Sequence, residues 1–146
     1  MKDNEMLATA IKIASHEFAS VMDKGGNPYI LHCLAVMDGV AHLGNKVMAA
    51  AVLHDIIEDT TWTADALKEH GFTDDVVWMV EVCTKRHNED YLTYIGRVSC
   101  CPETKAIKLA DLRHNMRPDR LVDLSEKSME RMKKYHSAYQ FLLRGA

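Results

Sequence analysis

The sequence predicts an all-α protein, a single domain over residues 1–146 built as a bundle of about eight helices. Three observations carry this reading. Apolar residues recur at helical spacing through most of the chain. No stretch alternates apolar and polar residues as a half-buried strand would. Capping residues, prolines and glycines punctuate the chain at intervals that suit short helices.

The elements follow in order. Leu7, Ala10, Ile11, Ala14, Phe18 and Val21 form the apolar stripe of a first helix. Asp23-Lys24-Gly25-Gly26-Asn27-Pro28 is a turn sequence. A second helix is expected from Tyr29 to His42, stopped at Gly44. A third begins near Asn45. Its segment Val47–Leu53 is apolar on every face, which places it at the centre of the bundle, and it is expected to continue through His54-Asp55-Ile56-Ile57-Glu58-Asp59. Thr63 reads as the N-cap of a short helix ending near Gly71. Thr73 caps the next, with Asp74 and Asp75 favourably placed against the helix dipole. Asn88 reads as a further cap, followed by Glu89 and Asp90. Pro102 opens a helix that runs to about Met116, and Pro118 ends it. Ser125 caps a last helix of about twenty residues, with Met129, Met132, Tyr135, Ala138, Tyr139 and Leu142 at three- and four-residue spacing.

Hydrophobic residues make up 47% of the 146 and charged residues 27%, the balance of an ordinary globular domain with a core, which excludes disorder and low complexity. The net charge of −3 and pI near 6.2 argue against a general nucleic-acid or membrane-surface binder. The longest apolar run, Val47–Leu53, is too short to span a bilayer. Acids stand near the N-terminus where a signal peptide carries cations, so a cytoplasmic location is expected. Cys33, Cys83, Cys100 and Cys101 contain no C-x-x-C pair and read as reduced packing residues.

The chemistry concentrates at the end of the apolar third helix. Four ionisable groups, His54, Asp55, Glu58 and Asp59, follow directly on a buried segment, where they are costly unless something organises them. His54 and Asp55 can both reach one ion, and a divalent cation would offset the clustered acids. Asp111 is an acid within an otherwise apolar helical turn, and Lys108 and Asn115 share its face. His32, beside apolar neighbours, reads locally as either a hydrogen-bonded core residue or a ligand. His42, His70, His87 and His136 carry no supporting pattern and read as surface or capping residues. Residues 102–120 hold Lys105, Lys108, Arg113, Arg117 and Arg120 against three acids, whereas residues 54–75 hold seven acids and one Lys. An acidic wall facing a basic helix suits a phosphorylated ligand. Lys105 and Arg120 are expected on the solvated side of that helix.

These residues resemble the metal set of the HD phosphohydrolase superfamily: His32, the pair His54-Asp55, and the distant Asp111. The closer resemblance is to the hydrolase domain of RelA/SpoT-type alarmone enzymes and to the stand-alone small alarmone hydrolases. The segments that carry it are Pro28-Tyr29-Ile30-Leu31-His32-Cys33, His54-Asp55-Ile56-Ile57-Glu58-Asp59-Thr60 and Lys108-Leu109-Ala110-Asp111-Leu112-Arg113-His114-Asn115-Met116-Arg117.

The resemblance implies an HD-domain helical bundle in which His32, His54, Asp55 and Asp111 hold one divalent ion, in this family usually manganese. It implies a metal-activated water that Glu58 and Asp59 orient and deprotonate. It implies removal of pyrophosphate from the 3′ position of guanosine tetra- or pentaphosphate, with Lys24, Lys108, Arg113, Asn115 and Arg117 as substrate contacts. In 146 residues no synthetase domain is expected beside the hydrolase, and a homo-oligomer is compatible with the reading. The chain departs from the family pattern at three places. Lys24 is the one cation where an Arg-Lys pair is usual, Cys33 replaces a Pro, and Leu112-Arg113 inverts the usual order, moving the guanidinium about 100° round the helix. The alternatives are an HD-type phosphatase or pyrophosphatase acting on another nucleotide, and a catalytically silent nucleotide-binding module.

Overall fold

The computed structural model describes residues 1–144. Among them nine α-helices succeed one another: α1 (Asp3–Glu17), α2 (Ile30–Gly39), α3 (Asn45–Val52), α4 (Ile56–Asp59), α5 (Ala64–Glu69), α6 (Asp74–Val82), α7 (Tyr91–Val98), α8 (Pro102–Asn115) and α9 (Glu126–Arg144). Two 3-10 turns, Ala41–Leu43 and Pro118–Arg120, lie between them. The described residues form no strand; one isolated bridge, Met22 with Pro28, closes the turn after α1. No described helix is long and apolar enough to cross a membrane.

Several punctuation marks act as the sequence suggests. Thr63 accepts a hydrogen bond from Ala66 N at 3.1 Å and starts α5. Pro102 stands in the first turn of α8, where its missing N–H costs nothing. Ser125 Oγ accepts from Ser128 N at 3.2 Å at the head of α9. Others differ. The second helix ends at Gly39 rather than His42, the remainder tightening into the 3-10 turn. Asp90, not Asn88, caps α7 by accepting from Thr93 N, while Asn88 takes a left-handed φ of 61° in the preceding loop, a conformation asparagine tolerates. Thr73 starts α6, but its hydroxyl donates to the Asp75 carboxylate instead of capping the backbone.

The most consequential difference is at the end of the third helix. It does not run on to Asp59: it stops at Val52, and Leu53–Asp55 form a turn before α4. Leu53 (φ −96°, ψ 5°) and Asp55 (φ −101°, ψ 2°) leave helical geometry there. In a continuous helix adjacent residues face directions about 100° apart. The turn relaxes that constraint, so His54 and Asp55 approach one point.

α3 is the axis of the bundle. Ala49, Ala50, Ala51, Val52 and Leu53 are wholly buried, and α1, α2 and α6 pack round them. A second cluster joins Val82, Tyr94, Ile95, Val98 and Leu112 to Ala138 and Leu142, which docks α9 on α7 and α8.

The approach of α2 to α8 positions the site, because α2 carries His32 and α8 carries Asp111. Gly39 makes it possible: a Cβ there would stand 2.8 Å from Ala110 Cβ. Gly39→Ala is therefore expected to push the helices apart, destabilising the fold by about 1–3 kcal/mol as overpacking does and loosening the His32–Asp111 pair. Denaturant unfolding of wild type and variant checks this; equal midpoints would show that α2 and α8 can separate freely.

Candidate metal centre

Three non-adjacent segments meet at one buried point. The first turn of α2 brings His32, the α3–α4 turn brings His54 and Asp55, and the middle of α8 brings Asp111. Both histidines and Asp111 are buried. Potential ligand atoms of His32, His54 and Asp55 all lie within 4.8 Å of one another. Asp111 Oδ1 is 2.9 Å from His32 Nε2 and 3.4 Å from His54 Nε2, and Asp55 Oδ2 is 3.0 Å from His54 Nε2.

The hydrogen bonds around these side chains fix what they present to the centre. His54 Nδ1 donates to Ala51 O at 2.8 Å, leaving Nε2 facing two carboxylates; this buried nitrogen has no aligned hydrogen-bond partner. His32 Nδ1 lies 2.7 Å from His114 Nδ1. Burial, followed by the positive surroundings of His32 and Arg120, pushes His114 down to about 4, so it is neutral and accepts. His32 Nδ1 also lies 2.9 Å from Arg120 Nη1, so His114 and Arg120 hold the ring from outside while its Nε2 faces Asp111 in the centre. Two imidazole Nε2 atoms facing two carboxylates need a positive charge between them, a proton or a cation. The same demand shows in the titration of His54: burial opposes its charged form, yet Asp55 and Asp111 hold its imidazole well above the usual range. A set of two imidazoles and two carboxylates, each oriented by an outer hydrogen bond, fits a divalent cation.

The outer partners are specific. Tyr29 donates its hydroxyl proton to Asp55 Oδ2. Asn115 Nδ2 donates to Asp111 Oδ1 at 3.0 Å, and the Lys108 ammonium meets Asp111 Oδ2 at 2.8 Å. Burial disfavours an ionised Asp111, but Lys108 and the His32 hydrogen bond hold its carboxyl well below the usual range.

Glu58 and Asp59 stand beside this group on α4. Burial, then the charges of Asp55 and Glu58, raise Asp59 to about 6. Glu58 Oε1 accepts from Lys85 N at 3.1 Å. The loop that supplies this N–H is clamped by Arg97, which donates to Val82 O (3.0 Å), Thr84 O (2.9 Å) and the Glu89 carboxylate (2.8 and 3.0 Å). The Arg97 hydrogen bond, then the Arg86 N–H, hold Glu89 at about 2 against roughly 4.3 in an unfolded chain. A depressed carboxyl stabilises the fold above its unfolded pKa, and that contribution fades as pH falls towards the folded value. Glu89→Gln is thus expected to lower the Tm at pH 7 and to match wild type near pH 2; a constant Tm gap across that range would contradict the clamp.

A cleft opens from the metal group in two arms. One, of about 250 Å³, is lined by Asp55, Glu58, Asp59, Lys85, Lys108 and Lys134 among others. The other, of about 430 Å³, includes Asp23, Lys24, Arg120 and Arg131, and continues along Lys127. Tyr29, Asp59, Asn115 and Tyr135 border both. The structure therefore brings Lys24, Lys108 and Asn115 to the cleft with Asp55, Asp111 and the two acids of α4, while the candidate ligands His32 and His54 are buried and do not line it.

Arg113 and Arg117 do not reach it. Leu112 occupies the inward position in the second core cluster, so Arg113 projects towards Gly39 and solvent. Arg117 pairs with Asp119 at the exposed surface, 2.7 Å away. Arg120, expected on the solvated side, is drawn in instead. The 3-10 turn after Pro118 folds it back, and it donates to Asn115 Oδ1 at 3.0 Å, His114 Nδ1 at 2.8 Å and Asp23 Oδ2 at 3.3 Å. Tyr29 and His114 carry no local signal of their own, although both stand inside the motif segments. Lys85, Arg131, Lys134 and Tyr135 have no local signature; they enter through the α6–α7 loop and the docking of α9.

Comparison with known proteins sets these observations beside relatives. A family model described as "HD domain" matches residues 10–134. A protein of Mycobacterium leprae named probable GTP pyrophosphokinase is 36% identical over 77% of this chain and 16% of its own length. The guanosine-3′,5′-bis(diphosphate) 3′-pyrophosphohydrolase of Haemophilus influenzae is 33% identical over 72% and 18%. The Xenopus tropicalis protein of the same activity name, MESH1, is 34% identical over 65% of this chain and 58% of its own. The chain thus spans under one fifth of the two bacterial relatives and under two thirds of the third. A solved structure, described as a metazoan ortholog of SpoT that hydrolyses ppGpp, superposes with a TM-score of 0.78 at 21% identity, covering 96% of this chain and 86% of that one. It shows that the helical arrangement is shared.

Proposed function

Because this chain belongs to the HD domain family, we propose that it is a metal-dependent hydrolase that removes pyrophosphate from the 3′ position of guanosine 3′,5′-bis(diphosphate) and its pentaphosphate analogue. The observation that carries the substrate class is the two-armed cleft. Cations line both arms, the metal group adjoins one of them, and Asn115 and Tyr135 lie where the arms meet. A nucleotide phosphorylated at two separated positions matches that distribution of charge.

His32, His54, Asp55 and Asp111 would hold the cation, with manganese as the chemically reasonable ion for two imidazoles and two carboxylates. When bound, the ion supplies Lewis acidity and lowers the pKa of a coordinated water. The protein supplies the rest. Glu58, one oxygen held by Lys85 N–H, keeps the other free to accept the proton of the attacking water. Asp59, raised to about 6, shares that proton within the same acidic pair. Lys108 remains protonated against Asp111 and offsets charge on the transferred group, with Lys85 and Lys134 on the same arm. Lys24, Lys127 and Arg131 crowd one another enough that burial and the two neighbouring cations lower the Lys24 pKa; a second phosphate group in that arm relieves the crowding.

The test is incubation of the manganese-loaded protein with guanosine tetraphosphate, products being separated by anion exchange and His54→Ala serving as the blank. GDP and pyrophosphate are expected from wild type alone. Intact substrate from protein shown to contain manganese would overturn the substrate assignment, and orthophosphate release from another nucleotide would assign a phosphatase in its place.

A further inference from the structure

One polar atom in the cleft has no use in the scheme above. The Tyr91 hydroxyl is buried and has no hydrogen-bond partner. Tyr91 is the first residue of α7, immediately after the Asp90 cap, and it lines the smaller arm with Glu58, Lys108 and Asp111. Of the other tyrosines lining this arm, Tyr94 donates to Cys83 O at 2.5 Å and Tyr29 to Asp55, while Tyr135 comes from α9. A buried hydroxyl left unpaired is a standing penalty to the fold, and such groups mark places where a ligand completes the bonding.

The surroundings specify the ligand's chemistry. The Lys134 ammonium sits 4.2 Å from the centre of the Tyr91 ring, which holds the ring in place from α9. Lys108 and Lys85 line the same arm. Burial raises the Tyr91 pKa, so the phenol keeps its proton and has it to offer to an acceptor. Beside the carboxylates of the metal group and α4, the same arm is lined by four donors: the ammonium groups of Lys85, Lys108 (which Asp111 also holds) and Lys134, and the Tyr91 hydroxyl. An anion rich in acceptor oxygens answers all four, which describes a phosphoryl group better than a sugar or a base.

We infer that Tyr91 is a substrate-contacting residue whose hydroxyl donates a hydrogen bond to a non-bridging oxygen of the scissile pyrophosphate group. The phenol keeps its covalent proton throughout. The inference rests on the hydrolase reading for the identity of the group bound, but the contact itself can be tested without turnover.

Inorganic pyrophosphate is the probe. Its binding to manganese-loaded wild type and to Tyr91→Phe is measured by calorimetry, with the Tm of each metal-free protein recorded beside it. The variant removes the hydroxyl and keeps the ring under Lys134. Affinity is expected to fall tenfold or more, as for a lost hydrogen bond to a charged acceptor, while the Tm is equal to or above wild type because an unpaired buried group has gone. Unchanged affinity, or no pyrophosphate binding by wild type, overturns the assignment. So does a Tm fall in the variant, which would mean that the hydroxyl has a partner within the fold. Guanosine tetraphosphate hydrolysis is scored separately: wild type that binds pyrophosphate through Tyr91 but leaves this nucleotide intact would remove the substrate reading and keep the contact.

Discussion

Asp111→Ala is expected to remove the divalent cation and turnover together. Asp111 is the side chain on which the centre converges: both histidine Nε2 atoms, the Asn115 amide and the Lys108 ammonium all lie within 3.4 Å of its oxygens. Loss of an outer partner of a metal ligand costs about 10–100-fold in affinity, and loss of the carboxylate itself should exceed that. The variant should also be less stable. Lys108 is largely buried, and removing one partner of a buried pair costs about 3–5 kcal/mol because a lone charge remains. The double variant Asp111→Ala/Lys108→Met separates the two effects: stability should largely return and metal binding should not. Elemental analysis and thermal unfolding read them out. Metal content equal to wild type in Asp111→Ala would exclude Asp111 from the ligand set.

Glu58→Gln should have the opposite profile. The glutamine carbonyl still accepts from Lys85 N–H, so the loop stays in place and the ligand set is untouched. What disappears is the capacity to take a proton from water. Turnover is expected to fall by about 10²–10⁴-fold, the usual contribution of a positioned general base, with manganese content unchanged. Turnover within a few-fold of wild type would assign the proton to another group, Asp59 being the nearest candidate by position and by its raised pKa.

The two variants probe parts of the site that differed in how far the sequence disclosed them. His54, Asp55, Glu58 and Asp59 were conspicuous because ionisable groups directly after seven apolar residues contradict ordinary burial. Asp111 was visible for the same reason, as an acid at a core-facing helical position. His32 was ambiguous locally, since a histidine beside apolar neighbours has a structural explanation as good as a chemical one. The cations were the least legible. Charge along α8 alone does not tell which side faces the cleft: Arg113 and Arg117 lie outside it, while Arg120 folds in after Pro118.

By itself the sequence determined the helical class, most element starts, the buried axis of α3 and the run of acids that follows it. Each depends on a periodicity or a capping preference expressed within a few residues, so local order suffices. The tertiary structure decided the site's geometry. The break at Leu53–Asp55 turns His54 and Asp55 towards one point, and Gly39 against Ala110 lets α2 carry His32 up to Asp111. The docking of α9 through Ala138 and Leu142 brings Arg131, Lys134 and Tyr135 over a cleft whose acids lie far away in the chain. Such placements depend on packing between helices distant in sequence, where shape complementarity and the cost of burying unpaired charge select one arrangement, and no periodicity within a single helix encodes that choice.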